Sequence, residues 1–162
     1  MKILPLLFLL ILTNTTVELD SVRRQYIDAA TSESSAGVFH ATLENVKPDG
    51  SNHTLMAYKA ASIVLLAKYE SGLFTKTRLF NRGTDLLEET IAKAPNNYEA
   101  RLIRLNIQDN VPWITGYTSD IKKDKAFLIK NYARQEAGLR DFTKKYALQS
   151  EAFSKKEKAM FE

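Results

Sequence analysis

The chain has 162 residues, with 23 Lys and Arg against 19 Asp and Glu, two His, no Cys and a formal net charge of +4 at pH 7. That length fits one domain and can bury a core without metal or disulfide staples. The lack of Cys excludes a disulfide scaffold, thiol catalysis and Cys-based zinc or iron–sulfur sites, and 44% hydrophobic residues exclude a disordered chain.

Met1 and Lys2 give a short positive start, and residues 3–12 form a non-polar run interrupted only by Pro5. Thr13, Asn14, Thr15 and Thr16 then supply small polar residues. This is the layout of a secretory signal peptide, expected over residues 1–16, with Thr13-x-Thr15 as the nearest approach to a cleavage site. The run is about half of the roughly 20 residues that a spanning helix needs, so no permanent anchor is expected. No Cys follows it, so the reading is a periplasmic or extracellular protein and not a lipoprotein.

Residues 17–162 read as a single all-α domain, because non-polar residues recur at three- and four-residue spacing and strand-like alternation is absent. Val22, Tyr26 and Ala29/Ala30 predict a first helix capped by Asp20 or Ser21. Phe39, Leu43 and Val46 mark a second, capped by Ser34 or Ser35 and ended by Lys47-Pro48-Asp49-Gly50. The third covers residues 52–69, with Leu55, Tyr58, Ser62, Leu65/Leu66 and Tyr69 in register. Its Ala57, Ala60 and Ala61 invite close approach by a neighbour. A fourth carries Leu79, Phe80, Leu86, Leu87 and Ile91 as far as Pro95, antiparallel to the third because the link at Ser71-Gly72 is short. The fifth covers residues 98–108 and stops at Val111-Pro112. After an irregular stretch at 113–118, Ser119 or Asp120 starts a sixth helix through Tyr132, and a seventh covers 135–148. Ser154-Lys155-Lys156-Glu157 is a capping box for a last short helix.

The junction Leu86-Leu87-Glu88-Glu89-Thr90-Ile91-Ala92-Lys93-Ala94-Pro95-Asn96-Asn97-Tyr98-Glu99-Ala100 resembles the join between two tetratricopeptide repeats. Gly83, Leu87 and Thr90 stand where that repeat places small, aromatic and small residues. Where the next repeat wants apolar or small residues, this chain has Arg101, Arg104, Leu105 and Gln108. Leu55-Met56-Ala57-Tyr58-Lys59-Ala60-Ala61, the stretch from Arg101 to Pro112, and Gly116-Tyr117 with Asp124-Lys125 resemble a family of small exported helical proteins from the Bacteroidetes that has no assigned activity. These resemblances imply export and antiparallel helical hairpins stacked in a tetratricopeptide-like domain. They transfer no catalytic residue.

On the fifth helix, Arg101, Arg104 and Gln108 share a strip about 60° wide at 100° per residue. It is flanked by Leu102 and Leu105 on one side and Ile103 and Ile107 on the other. Paired guanidinium groups either grip an external carboxylate or phosphate, or sit in an internal network with Glu70, Asp120 or Asp124 while Asn110 caps the helix end. The geometry favours the network. Trp113 and Tyr117, with Pro112, form either a recognition surface or a plug at the end of the bundle. Glu70-Ser71-Gly72-Leu73-Phe74, ending a helix, resembles the Glu-Ser step of lytic transglycosylases, in which the Glu acts as general acid on peptidoglycan. The later Gly-rich, Gln-containing segment of that family has no counterpart here. His40 and His53 lack a second His at i+4, so no metal site is expected. Without a Gly-rich phosphate loop or interleaved basic and aromatic residues, no cofactor and no nucleic-acid partner are expected.

Residues 119–162 hold 11 basic and 7 acidic side chains, while residues 16–118 are near balance with 11 and 12. The sequence therefore supports an exported binding or scaffold module with a protein or peptide partner, and a Glu70-dependent glycan enzyme as the alternative. Protein from the producing cell is expected to begin between about residues 15 and 21. N-terminal mass analysis checks this, and retention of Met1 would refute it.

Overall fold

A computed structural model describes residues 18–162, so the expected export segment, residues 1–16, lies outside the described residues. Eight α-helices follow one another: α1 Leu19–Ala29, α2 Glu33–Leu43, α3 His53–Tyr69, α4 Leu73–Lys93, α5 Tyr98–Asn110, α6 Ile121–Asn131, α7 Ala137–Gln149 and α8 Lys155–Lys158. Short 3-10 turns occur at Trp113–Thr115, Tyr132–Arg134 and Ala159–Phe161. Among the described residues there is no strand, and the fold is all-α. No described helix is long and apolar enough to cross a membrane.

Helix starts depart from the sequence expectation where a side chain has a stronger use elsewhere. α1 begins at Leu19, and neither Asp20 nor Ser21 caps it. The Asp20 carboxylate instead accepts a 2.6 Å bond from Arg23 Nη1, and Ser21 accepts from the Gln25 amide. Ser32, not Ser34 or Ser35, caps α2, because its extended backbone aims Oγ at the Ser35 N–H. Val46 lies beyond the end of α2 and packs against the core from the following turn. Asp120 precedes α6 without capping it, since its carboxylate accepts from Ser119 Oγ and faces Arg104. Glu136 caps α7 by accepting from the Gly138 and Leu139 N–H groups. The Ser154–Glu157 capping box forms as its spacing predicts.

The α3–α4 hairpin is the most extensively packed pair. Its closeness comes from small residues: a Cβ placed on Gly83 would lie 2.6 Å from Val64 Cγ2 and 2.9 Å from the Ala60 carbonyl oxygen. Ala57, Ala60 and Ala61 are buried against this contact, as their size implies. Around the hairpin, Val22, Phe39, Leu43, Tyr58, Leu87 and Ile103 fill a first core, with Tyr26 and Phe39 edge-on or tilted about Tyr58 at 5.6 and 6.3 Å between centroids. A second core joins Tyr98, Leu102, Leu105, Leu128, Leu139, Phe153 and Phe161. α5 contributes Ala100, Ile103 and Ile107 to the first and Tyr98, Leu102 and Leu105 to the second, so it forms the wall shared by both.

Gly83 supplies a test whose sign separates packing from propensity. Gly to Ala inside a helix ordinarily gains about 1 kcal/mol. Here the methyl group meets backbone, and overpacking of this kind costs about 1–3 kcal/mol. Gly83→Ala is expected to lower the melting temperature. A rise would show that α3 and α4 separate without loss.

Candidate functional site

Ten of the thirteen α5 residues are buried, including Glu99, Arg101, Arg104 and Gln108. A charge in such surroundings persists only with a partner. Arg101 and Arg104 find theirs in Asp124 of α6, which is fully buried. Arg104 donates from Nε to Asp124 Oδ2 at 2.7 Å and from Nη2 to Oδ1 at 2.8 Å. Arg101 donates from Nη1 to the same Oδ1 at 2.9 Å and from Nε to the Pro95 carbonyl, and its guanidinium stacks 4.4 Å from the Phe127 ring centroid. Arg104 Nη1 also donates to Glu88 of α4. Burial alone would lower the Arg104 pKa, but the bonds and charge of Asp124, with Glu88, raise it.

Of the sequence-proposed acidic partners, Asp124 is bound, Asp120 lies 3.6 Å from Arg104, and Glu70 takes no part. Glu70 instead accepts a 2.8 Å bond from the Gly72 N–H at the α3–α4 turn. Asn110 donates to the Asn106 carbonyl at the end of α5. Gln108 lies on the same strip, 2% exposed, and its amide has no hydrogen-bond partner among the described residues. Tyr117 joins the strip through Glu88, to which its hydroxyl donates, and its ring meets Phe80 edge-on. Burial, then the Glu88 bond, pushes the Tyr117 pKa well up.

A second buried network escaped the sequence reading. Glu99, 4% exposed, accepts from Arg23 Nε and Nη2 at 2.7 and 3.0 Å and from the Tyr58 hydroxyl. Arg23 Nη1 reaches Asp20 and Glu136. Its pKa is raised, the Glu99 bond being the main cause. An acidic residue in a first helical turn satisfies the helix dipole, so nothing local distinguishes Glu99 from an ordinary surface acid.

His40 Nδ1 lies 2.9 Å from Ser62 Oγ. Ser62 is fully buried and donates its proton to the Lys59 carbonyl, so this pair has no access to a substrate. Burial lowers the His40 pKa, with Glu44 opposing and Arg82 and Lys59 adding to the shift. No group of three or more His, Asp or Glu among the described residues is placed to hold a metal ion.

Several large apolar side chains stay at the surface. Trp113 is 83% exposed and Ile114 78%, held on a 3-10 turn that Gly116 closes in the left-handed conformation. Leu73 and Phe74, 74% and 93% exposed, open α4. The short turn between α4 and α5 makes them antiparallel, and the Phe80–Tyr117 contact sets the segment after α5 against the middle of α4, which begins further out at Leu73. The two proposed aromatics therefore part company: Tyr117 plugs the bundle and Trp113 stands out from it. Leu73, Phe74 and Ile114 were not singled out by sequence. Leu73 shares the helical register of buried Phe80-side residues, and only the absence of a covering element exposes it.

Comparison with protein-family models, curated proteins and solved structures yields no match.

Because Asp124 holds both arginines, Arg104→Ala strands a buried carboxylate. A loss of about 3–5 kcal/mol is expected, with Arg104→Lys restoring only part because the two-point fork is gone. Thermal melts with and without phosphate or citrate check this. A near-unchanged mutant, or a wild type protected by those anions in an Arg104-dependent way, would point to an open anion site.

Proposed function

We propose that the protein is an exported helical binding or scaffold module that works through protein–protein contact. The observation that carries this reading is the large apolar side chains that no element covers, Leu73 and Phe74 at the start of α4 and Trp113 and Ile114 on the turn after α5, each more than 70% exposed. Large apolar surface at a fixed place on a soluble fold marks an interaction site, and Trp is enriched among residues that dominate binding energy. The turn bonds of Thr115 and Gly116 to Pro112 and Trp113 hold the tip in shape before binding, which reduces the ordering cost on association. The signal-like N-terminus supports a place outside the cytoplasm. The tetratricopeptide-like junction and the resemblance to exported helical proteins support a stacked-hairpin scaffold; that step is analogy of fold.

The tagged mature protein is expected to retain a protein partner during purification from the periplasm. Trp113→Ala and Phe74→Ala should each weaken that complex by up to roughly thirtyfold, the scale of a central aromatic contact, with little change in melting temperature because both side chains are exposed. Undiminished retention by the double variant would sink the reading. Release of anhydro sugars from purified peptidoglycan, lost in Glu70→Gln, would replace it with a glycan enzyme.

A further inference from the structure

The outer face of α4 continues from its apolar start into an open groove of about 990 Å³. Its lining includes Leu73, Phe74, Arg78, Arg82 and Leu86 of α4, with Ile63 of α3 as its floor. Two features set its chemistry. The α4 cations that line it, Arg78 and Arg82, lie in the first half of the helix, and the two acids of the lining, Asp85 and Glu89, follow them. Neither arginine forms an ion pair among the described residues, whereas Glu89 at the far end of the groove is paired with Lys93. The cations also crowd the half of the helix whose dipole end is already positive, the arrangement that favours a bound carboxylate over a bound cation.

We infer that this groove docks an acidic amphipathic helix of the partner protein, its apolar side seated along Leu73, Phe74, Ile63 and Leu86 and its carboxylates facing Arg78 and Arg82. The inference rests on the protein-binding reading above and adds the chemistry of the partner. A helix presents anchors at i, i+4 and i+7, the spacing at which a groove along another helix is filled. Guanidinium groups flanking such a groove read carboxylates in two-point fashion. Asp85 and Glu89 lie further along the same lining. Positive charge at one end and negative at the other thus fixes the direction in which the guest helix lies, its acidic part over the start of α4.

The test uses the mature protein and a synthetic 18-residue peptide with Leu at i, i+4, i+7 and i+11 and Glu along one flank. Two controls carry Gln or Lys in place of every Glu. Fluorescence anisotropy is expected to show the Glu peptide binding roughly tenfold more tightly than the Gln peptide, with the margin shrinking at high salt. The Lys peptide should not bind. Arg78→Glu/Arg82→Glu, two exposed sites whose reversal leaves the melting temperature in place, should exchange the preference so that the Lys peptide binds and the Glu peptide does not.

Equal binding of Glu and Lys peptides, or a preference untouched by the double reversal, would overturn the groove assignment. If that charge-blind binding is still lost in Phe74→Ala/Trp113→Ala, the protein-binding reading survives and only its acidic partner falls. If no peptide binds and the double alanine variant retains its native partner undiminished, both fall. Arginine-dependent binding to phosphatidylglycerol vesicles without peptide binding would also overturn the proposal, in favour of a lipid surface.

Discussion

Charge placed on a helix with almost no exposed face is the constraint on which this structure depends. α5 carries Glu99, Arg101 and Arg104, all less than 9% exposed. None can remain ionised there without partners that replace water. Glu99 draws in Arg23 of α1 and Tyr58 of α3. The two arginines draw in Asp124 of α6, and Arg104 also takes Glu88 of α4. Four helices are thus keyed to α5 by directional bonds as well as by packing. Buried ion pairs of this kind add little net stability over apolar replacements. They do penalise any register in which the partners miss, and in a fold made only of helices that penalty selects one arrangement from several with similar apolar burial.

The same constraint moves function away from the residues that first attract attention. Two arginines close together on one strip have the chemistry of an anion site, yet each of the three guanidinium nitrogens of Arg104 is engaged inside the protein. Glu70, the one residue with an enzymatic resemblance, serves the turn between α3 and α4. The Ser62 hydroxyl that meets half-buried His40 is itself fully buried. The most exposed large apolar side chains, Leu73, Phe74, Trp113 and Ile114, stand at the start of α4 and on the turn after α5.

Helix existence was legible because it depends on local periodicity. The α3–α4 hairpin was recognisable from Ser71-Gly72 and the alanines at 57, 60 and 61, and the last cap from Ser154 and Glu157. Caps at the front of the chain were misassigned where several polar residues stand together: Ser32 caps α2 in place of Ser34 or Ser35, and neither Asp20 nor Ser21 caps α1. Local spacing ranks such residues equally, and it does not register that Arg23, the partner of Asp20, is held by Glu99 from α5. The strip of Arg101, Arg104 and Gln108 was visible as a face of α5, and Asp124 was among its named partners. Glu88 and the Pro95 carbonyl were not, since both approach α5 from elements whose orientation is set by packing.

Exposure was the property that lay furthest from the sequence. Trp113 and Tyr117 are four residues apart and chemically alike, but one stands in solvent and the other is tied to Glu88 and Phe80. Leu73 follows the same helical register as the core-facing side of α4, yet no element lies over it. Periodicity states which side of a helix is apolar, because that is a property of residue order at 100° per step. Whether a neighbour reaches far enough to cover that side depends on where helices distant in the chain begin, end and cross. Here the all-α class, the hairpin and the charged strip came from residue order alone. Which charges close on one another, and which apolar groups remain for a partner, came from the lengths and docking of α4, α5 and α6.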